Sequence, residues 1–190
     1  SFPSVSVGVH KARCIKVIDL GTQKNEFEGN ITWKRQVLVI WETPDQTNET
    51  SEPLTISRFY TLSLHEKSNL GIDLTSWRGR PFSETEKQGF DISKLIGHTC
   101  LLNVIQGTKN NKIGSVMPLP KGDKIAEQYH TSVTFSMDDF QKGKKETFNQ
   151  LSEGIRNIIL RSKELEGLEH KDNGDDNNGS TTVGQEPVPF

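Results

Sequence analysis

The sequence between residues 32 and 42 is Thr-Trp-Lys-Arg-Gln-Val-Leu-Val-Ile-Trp-Glu. Side chains of an extended chain point alternately to two faces, so the odd-numbered members of this stretch share one face. Those members are Trp33, Arg35, Val37, Val39 and Trp41. Aromatic and β-branched residues are enriched in strands. The stretch therefore predicts a β-strand, and the apolar stripe that ends at Trp41 places that tryptophan in a core.

Similar patterns lie on both sides of this strand. Residues 5–20 begin with valines that alternate with small or polar residues, and Gly8 is typical of a bulge at which a strand bends. Further strands are predicted at Leu54–Leu62, Cys100–Ile105, Ile113–Met117 and Ser132–Met137. The polar stretches Gly21–Asn30, Pro44–Pro53 and Gly107–Lys112 are predicted to be loops.

Two helices are predicted from start and stop signals. Ser63 and Glu66 have the spacing of a capping box, and Gly79 with Pro81 ends the segment. Between them, Leu70, Leu74 and Trp77 form one apolar stripe, which favours a core position for Trp77. A second helix is predicted from Phe148 to Leu165, and shorter turns begin at Ser83 and Asp91.

The order of these elements is β-β-β-α-β-β, with the helix between the third and fourth strands. This is the order of an OB-fold, a five-stranded barrel that binds oligonucleotides on strands 2 and 3 and on the 1–2 and 4–5 loops. A different small barrel has the same order, so topology alone leaves that alternative open. We expect an OB-fold domain over residues 1–140, a C-terminal helix over 141–166 and a disordered acidic tail over 167–190.

The net charge of −2 is distributed unevenly along the chain. Residues 170–190 contain one lysine and four acidic residues, a net charge of −3, which leaves +1 for the other residues. The body is therefore close to neutral with local basic clusters, and only the tail is strongly acidic.

Binding of single strands without sequence preference requires aromatic faces that stack on bases and cations that follow the phosphates. Tyr60 and Arg58 are two residues apart in the predicted strand and share one face, whereas Phe59 points to the other face. At most one of the rings of Phe59 and Tyr60 therefore stacks on DNA from the sheet surface. We favour Tyr60, with a core position as the alternative for each aromatic residue. The full predicted set is Trp33, Lys34, Arg35, Arg58, Tyr60, Arg78, Arg80, Lys109 and Lys112.

Motifs of catalysis are absent from the sequence. It contains no phosphate-binding Gly-rich loop that ends in Gly-Lys-Ser/Thr and no Gly-x-Ser-x-Gly elbow. The two cysteines, Cys14 and Cys100, lie among apolar residues and fit buried free thiols in a reducing cytoplasm. No run of about 18 apolar residues occurs. We expect a cytoplasmic protein that is not an enzyme, holds no metal or cofactor and does not enter a membrane.

The tail predicts a second kind of contact. It carries Asp175, Asp176 and Glu186 and ends in Pro-Val-Pro-Phe190. A terminal aromatic ring beside a free carboxylate suits a pocket that combines an apolar slot with a basic rim. We expect these residues to recruit a partner protein or to modulate DNA binding, against the alternative of a disordered end without function.

The chain resembles phage-encoded single-stranded DNA-binding proteins with an OB-fold. The residues that carry the resemblance are Asp19-Leu-Gly-Thr-Gln23, the strand from Arg35 to Glu42, Ser63–Leu70, Trp77-Arg-Gly-Arg-Pro-Phe82, Gly97 with Cys100-Leu-Leu-Asn-Val104, and Val116-Met-Pro-Leu-Pro120.

The resemblance implies protection of single strands during replication, recombination or repair in the host cytoplasm. It also implies recruitment of replication or recombination proteins by the tail. The competing interpretation is a protein-interaction module in which the barrel holds a peptide or protein and does not bind DNA.

Overall fold

The computed structural model describes residues 3–166 and Phe190. Its largest feature is a hairpin of two long strands, β1 (Gly8–Phe27) and β2 (Asn30–Thr47). The turn between them is Glu28–Gly29, with φ values of 50° and 79°. The predicted loop at residues 21–30 is therefore wrong. From Lys24 onward its side chains are exposed, and the two strands stay paired through their backbones as far as Phe27 and Asn30.

The other strands extend this hairpin into a mainly β structure, as predicted. Their bounds are Pro53–Thr61 for β3, Thr99–Ile105 for β4, Lys112–Met117 for β5 and Val133–Phe135 for β6. The sheet order is β3-β2-β1-β4-β5, all antiparallel, and β6 pairs in parallel with β1. The predicted strands 3, 4 and 5 are confirmed to within one residue at each end.

The two faces of the β1–β2 hairpin contact two separate cores. One face carries Val17, Val39 and Trp41, which pack with α1 (Asn69–Arg78) and with residues of β4 and β5. Here the predicted core positions of Trp41 and Trp77 are confirmed, since 1% and 4% of their surfaces are exposed. Cys14 and Cys100 are buried free thiols in the same core, as predicted.

The opposite face of the hairpin is covered by the C-terminal part of the body. Ile18, Leu20 and Leu38 pack there with Phe135 and Ile159. The elements that supply this cover are β6, the short helices α3 (Met137–Gln141), α4 (Glu146–Gln150) and α5 (Glu153–Leu160), and a 3-10 helix at Lys163–Leu165.

Two helix predictions need correction. α1 begins at Asn69 rather than near Ser63, because the Ser68 hydroxyl accepts the backbone N–H of Gly71 and caps the helix there. Its predicted end at Gly79 is confirmed. The single helix predicted at 148–165 is broken, because Ser152 adopts an extended conformation and caps α5.

Ser83 and Glu86 form the capping box that starts α2 (Glu84–Gly89), at a position where the sequence predicts only a short turn. The 3-10 helix at Ile92–Leu95 follows, with Asp91 as its cap. No helix in the described part of the chain is long and apolar enough to cross a membrane.

β1 bends at a bulge between Asp19 and Gly21, opposite Val37 and Gln36 of β2. Gly21 has φ of 71°, in the left-handed region that favours glycine. A Cβ atom there would lie within 2.8 Å of Met137, Ser162 and Glu164. Only glycine therefore allows the C-terminal segment to approach the strand this closely.

Glu42 attaches the segment before β6 to the sheet. Its side chain is fully buried and accepts hydrogen bonds from the backbone N–H groups of Tyr129 and His130 at 3.0 and 2.9 Å. The Nδ1 atom of His130 lies 2.7 Å from the same carboxylate, and an Arg13 nitrogen lies at 4.0 Å. One buried carboxylate thus satisfies several groups of a segment that is otherwise largely exposed.

Glu42→Ala should lower the free energy of unfolding by about 1–3 kcal/mol, because it leaves two backbone N–H groups without their acceptor. Urea denaturation measures that loss, and hydrogen exchange should accelerate at the amides of residues 129 and 130. Glu127→Ala is the matched control, since Glu127 is exposed on the same segment. Equal stability and exchange in the two variants would contradict this role.

Candidate nucleic-acid interface

The outer half of the β1–β2 hairpin forms an arm, defined here as residues 22–35. Its exposed apolar side chains are Phe27, Ile31 and Trp33, with 71%, 52% and 36% of their surfaces exposed. Lys24 is paired with Trp33 across the strands, so the two side chains share a face and lie side by side. An aromatic ring beside an exposed cation is the arrangement that base stacking and phosphate contact require.

The ring of Trp33 is also close to a cation from outside the arm. The Nζ atom of Lys163 lies 5.5 Å from the ring centroid, within the range of a cation–π contact. Lys163 belongs to the C-terminal 3-10 helix, so only the folded chain places it beside Trp33. Sequence reasoning missed Lys163, because no pattern near residue 163 indicates which strand it covers.

Arg35 and Lys34, both predicted to contact phosphates, differ in their surroundings. Arg35 forms an ion pair with Asp19 across the hairpin, with hydrogen bonds that raise the pKa of its guanidinium. Lys34 is exposed, and neither Lys34 nor Lys24 has an ion pair within the described residues. These two lysines are therefore available to an anion without breaking an existing contact.

A cleft of about 830 Å³ opens at the base of the arm and is called the basal cleft below. Arg35, His65 and Lys87 contribute its basic groups, and Phe90 contributes an aromatic ring. The carboxylate of Asp19 also lines the cleft, but its charge is compensated by Arg35 and by the backbone N–H groups of Gly21 and Met137. Asp91 and Asp139 line the cleft as well, and Lys87 is paired with Glu84 at 3.0 Å, so the cleft carries charges of both signs beside the ring of Phe90.

Tyr60 is not on the surface, contrary to the prediction. Only 3% of it is exposed, its hydroxyl donates a hydrogen bond to Asp73 of α1, and burial raises the pKa of that hydroxyl. Arg58 also points inward, where it pairs with Asp73 at 2.8 Å. Phe59 is the exposed ring of this strand, with 53% of its surface exposed.

Arg78, also predicted to contact phosphate, is largely buried. Only 2% of its side chain is exposed, it pairs with Glu86 at 2.8 Å, and its guanidinium carbon lies 3.9 Å from the centroid of the Phe82 ring. In this conformation the side chain is not available to a phosphate at the surface. Arg80, two residues further, is exposed.

Lys109 is exposed on the turn between β4 and β5, as predicted, and Lys112 is exposed at the first position of β5, which the sequence predicts to be the end of the loop. The neighbouring Asn111 side chain donates to the carbonyl of Val5, so this turn lies beside the beginning of β1. The arm is formed by the other end of that strand. The structure thus divides the predicted residues among the arm, the interior, the β4–β5 hairpin and, for Arg80, the exposed segment after α1. Asp175, Asp176 and Glu186 of the tail lie outside the described residues.

Comparison of the chain with protein-family models, with curated proteins and with solved structures finds no match. The geometry described above is therefore the basis for the functional conclusion.

Tyr60→Ala should lower the free energy of unfolding by about 3–5 kcal/mol, because it leaves a cavity in the core. Trp33→Ala should cost about 1 kcal/mol or less, since it removes a partly exposed ring and one cation–π contact. Urea denaturation of both variants measures the difference. Tyr60→Phe serves as an intermediate case that keeps the ring and removes only the bond to Asp73. A larger loss for Trp33→Ala than for Tyr60→Ala would contradict these placements.

Proposed function

We propose that this protein binds single-stranded DNA without reading its sequence, and that the arm and the basal cleft form the binding surface. The observation that carries the proposal is the exposed ring of Trp33 beside Lys24, on an arm that also presents Lys34. Each base has a π-face, so stacking on such a ring is tolerant of sequence. Lysines without ion pairs follow the phosphates equally well along any sequence.

The topology supports an OB-type barrel as the scaffold of this surface. β1 pairs with β2 along one part and with β4 along another, and β3 and β5, the two ends of the sheet path, approach each other. α1 lies between β3 and β4 in the chain. In an OB-fold, strands 2 and 3 and the 1–2 loop bind oligonucleotides, which corresponds here to Phe59 and the arm.

In this proposal a bound strand stacks on Trp33 and continues toward the basal cleft, where Arg35, Lys87 and His65 supply the basic groups. Arg35 and Lys87 would exchange their ion pairs with Asp19 and Glu84 for phosphate contacts. The proposed biological role is protection of exposed strands in replication, recombination or repair, as the resemblance implies. The proposed activity is binding without cleavage, so a labelled strand incubated with the protein and magnesium is recovered intact.

The proposal is tested by fluorescence anisotropy with labelled oligo-dT and with a mixed-sequence oligomer of the same length. Trp33→Ala should weaken binding to both by about 1–3 kcal/mol, because one stacked base is lost. Lys24→Ala and Lys34→Ala should each reduce the slope of log affinity against log salt by about 0.7, the value for one phosphate contact on a single strand.

Lys121→Ala is the matched control, because Lys121 is also exposed and lies outside both the arm and the basal cleft. It should leave the affinity and the salt slope almost unchanged. If neither oligomer binds micromolar wild-type protein at low salt, DNA binding is wrong. The exposed apolar residues Phe27 and Ile31 at the arm tip would then favour the protein-interaction module.

A further inference from the structure

The tip of the arm, defined as residues 25–31, differs in chemistry from the base of the arm. It exposes the apolar side chains of Phe27 and Ile31 beside Glu26 and Glu28 and contains no basic residue. Neither glutamate has an ion pair within the described residues. Its negative charge repels a phosphate backbone, so the tip is a poor surface for DNA. Exposed apolar side chains beside uncompensated acids instead favour a protein surface of opposite charge.

A second group of exposed apolar side chains lies at the other end of β1 and is called the valine patch below. It consists of Val7, Val9 and Ile105, with 58%, 56% and 36% of their surfaces exposed. Val9 pairs with Asn103 of β4, and Ile105 lies two residues further along β4. Because side chains alternate along a strand, Val9 and Ile105 share one face of the sheet.

The charged groups around the valine patch are mainly basic. Lys112 pairs with Ile105 across β4 and β5, and Lys109 is exposed on the turn between these strands. Neither lysine has an ion pair within the described residues. Lys11 follows Val9 by two residues on the same face, and its Nζ atom donates to the carbonyl of Lys124.

One acidic residue, Asp45 of β2, lies near another edge of the patch. Its neighbour Gln46 accepts hydrogen bonds from the backbone N–H and the hydroxyl of Ser6, the residue before Val7. Cations therefore outnumber acids around the valine patch, whereas the arm tip carries acids alone.

The tip and the patch belong to opposite ends of one strand of 20 residues. That strand is paired with β4 from Gly8 to Arg13 and with β2 from Arg13 to Phe27, so its two ends are held apart. We propose that the arm tip of one copy of this protein docks on the valine patch of a second copy. The contact removes apolar side chains from water and places the glutamates of the tip among the lysines of the patch.

Such a contact joins two different surfaces, and each copy carries one of each. It is therefore heterologous, and it generates rings or open chains of copies rather than a self-complementary pair. The tip is small, so the contact belongs to the weak class of interfaces. DNA is not part of the contact, and the inference does not rest on the proposed function.

The experiment is sedimentation velocity of the full-length protein without DNA, at protein concentrations from micromolar to millimolar. Wild type should sediment faster as its concentration rises. The tip variant, Glu26→Lys/Glu28→Lys, and the patch variant, Lys109→Glu/Lys112→Glu, should each lower the association constant about tenfold or more, because like charges then face each other. A wild type that remains monomeric over the whole range overturns the proposal.

An equimolar mixture of the two variants tests whether the tip contacts the patch. In the mixture every tip meets a patch of opposite charge on the other variant, so association that neither variant shows alone should return. Its return also shows that both variants are folded. A mixture that associates no better than its components overturns the proposal. Loss of association in the tip variant alone indicates a contact between two tips and overturns it as well.

Glu66→Lys/Glu146→Lys is the matched control for net charge. Both glutamates are exposed and lie outside the tip and the patch, and the two substitutions change the net charge as much as those of the tip variant. The control should associate as wild type does. A loss equal to that of the tip variant assigns the effect to net charge and contradicts docking of the tip.

Discussion

The structure depends on the pairing of a single strand, β1, with three others. Its first part pairs with β4, its middle pairs with β2 on one edge and with β6 on the other, and its last part pairs with β2 alone. Because successive side chains alternate between two faces, the same strand supplies Val17 to one core and Ile18 to the other. The two cores therefore share one strand, and both depend on the pairing of β1.

The sequence predicted the strands best where a side-chain pattern reports burial. Val37, Val39 and Trp41 repeat with the period of a strand, and the structure buries them all. The arm from Lys24 onward has no such pattern, because its side chains are exposed on both faces and backbone pairing continues the two strands. At its base, Gln23 is buried and donates hydrogen bonds to the carbonyls of Leu20 and Ile158. The predicted start of α1 was wrong for a related reason. Two serines offer a cap, and the backbone path after β3 determines that Ser68 rather than Ser63 is used.

The side chains of the candidate site were also predicted only in part from the sequence. Parity alone requires that Phe59 and Tyr60 face opposite ways, but it does not determine which face is the core. On the inward face, Leu54 and Ile56 pack on the same core as Tyr60. Asp73 of α1 accepts the Tyr60 hydroxyl and pairs with Arg58, from 13 and 15 residues away in the chain. Glu86 likewise forms an ion pair with Arg78 and holds it in the interior. Basic residues are visible in a sequence, whereas the distant carboxylates that neutralise them become visible only after folding.

Phe90, which lies between α2 and the 3-10 helix at Ile92–Leu95, belongs to two features of the body. Phe90 lines the basal cleft, and its ring also lies 6.4 Å from the ring of Phe190 and 5.1 Å from the ring of Phe82. One ring is thus shared by the basal cleft and by an aromatic cluster on the body.

Gly21 fixes where the arm leaves the body, and the arm beyond it is a regular antiparallel ribbon. In such a ribbon, two residues added to each strand lengthen it by roughly 7 Å and return every side chain to its original face. The junction is unaffected, since the close approach of Met137, Ser162 and Glu164 occurs at residue 21 itself. Insertions of two residues in each strand can therefore lengthen the arm in discrete steps, while the residues of the two cores stay the same.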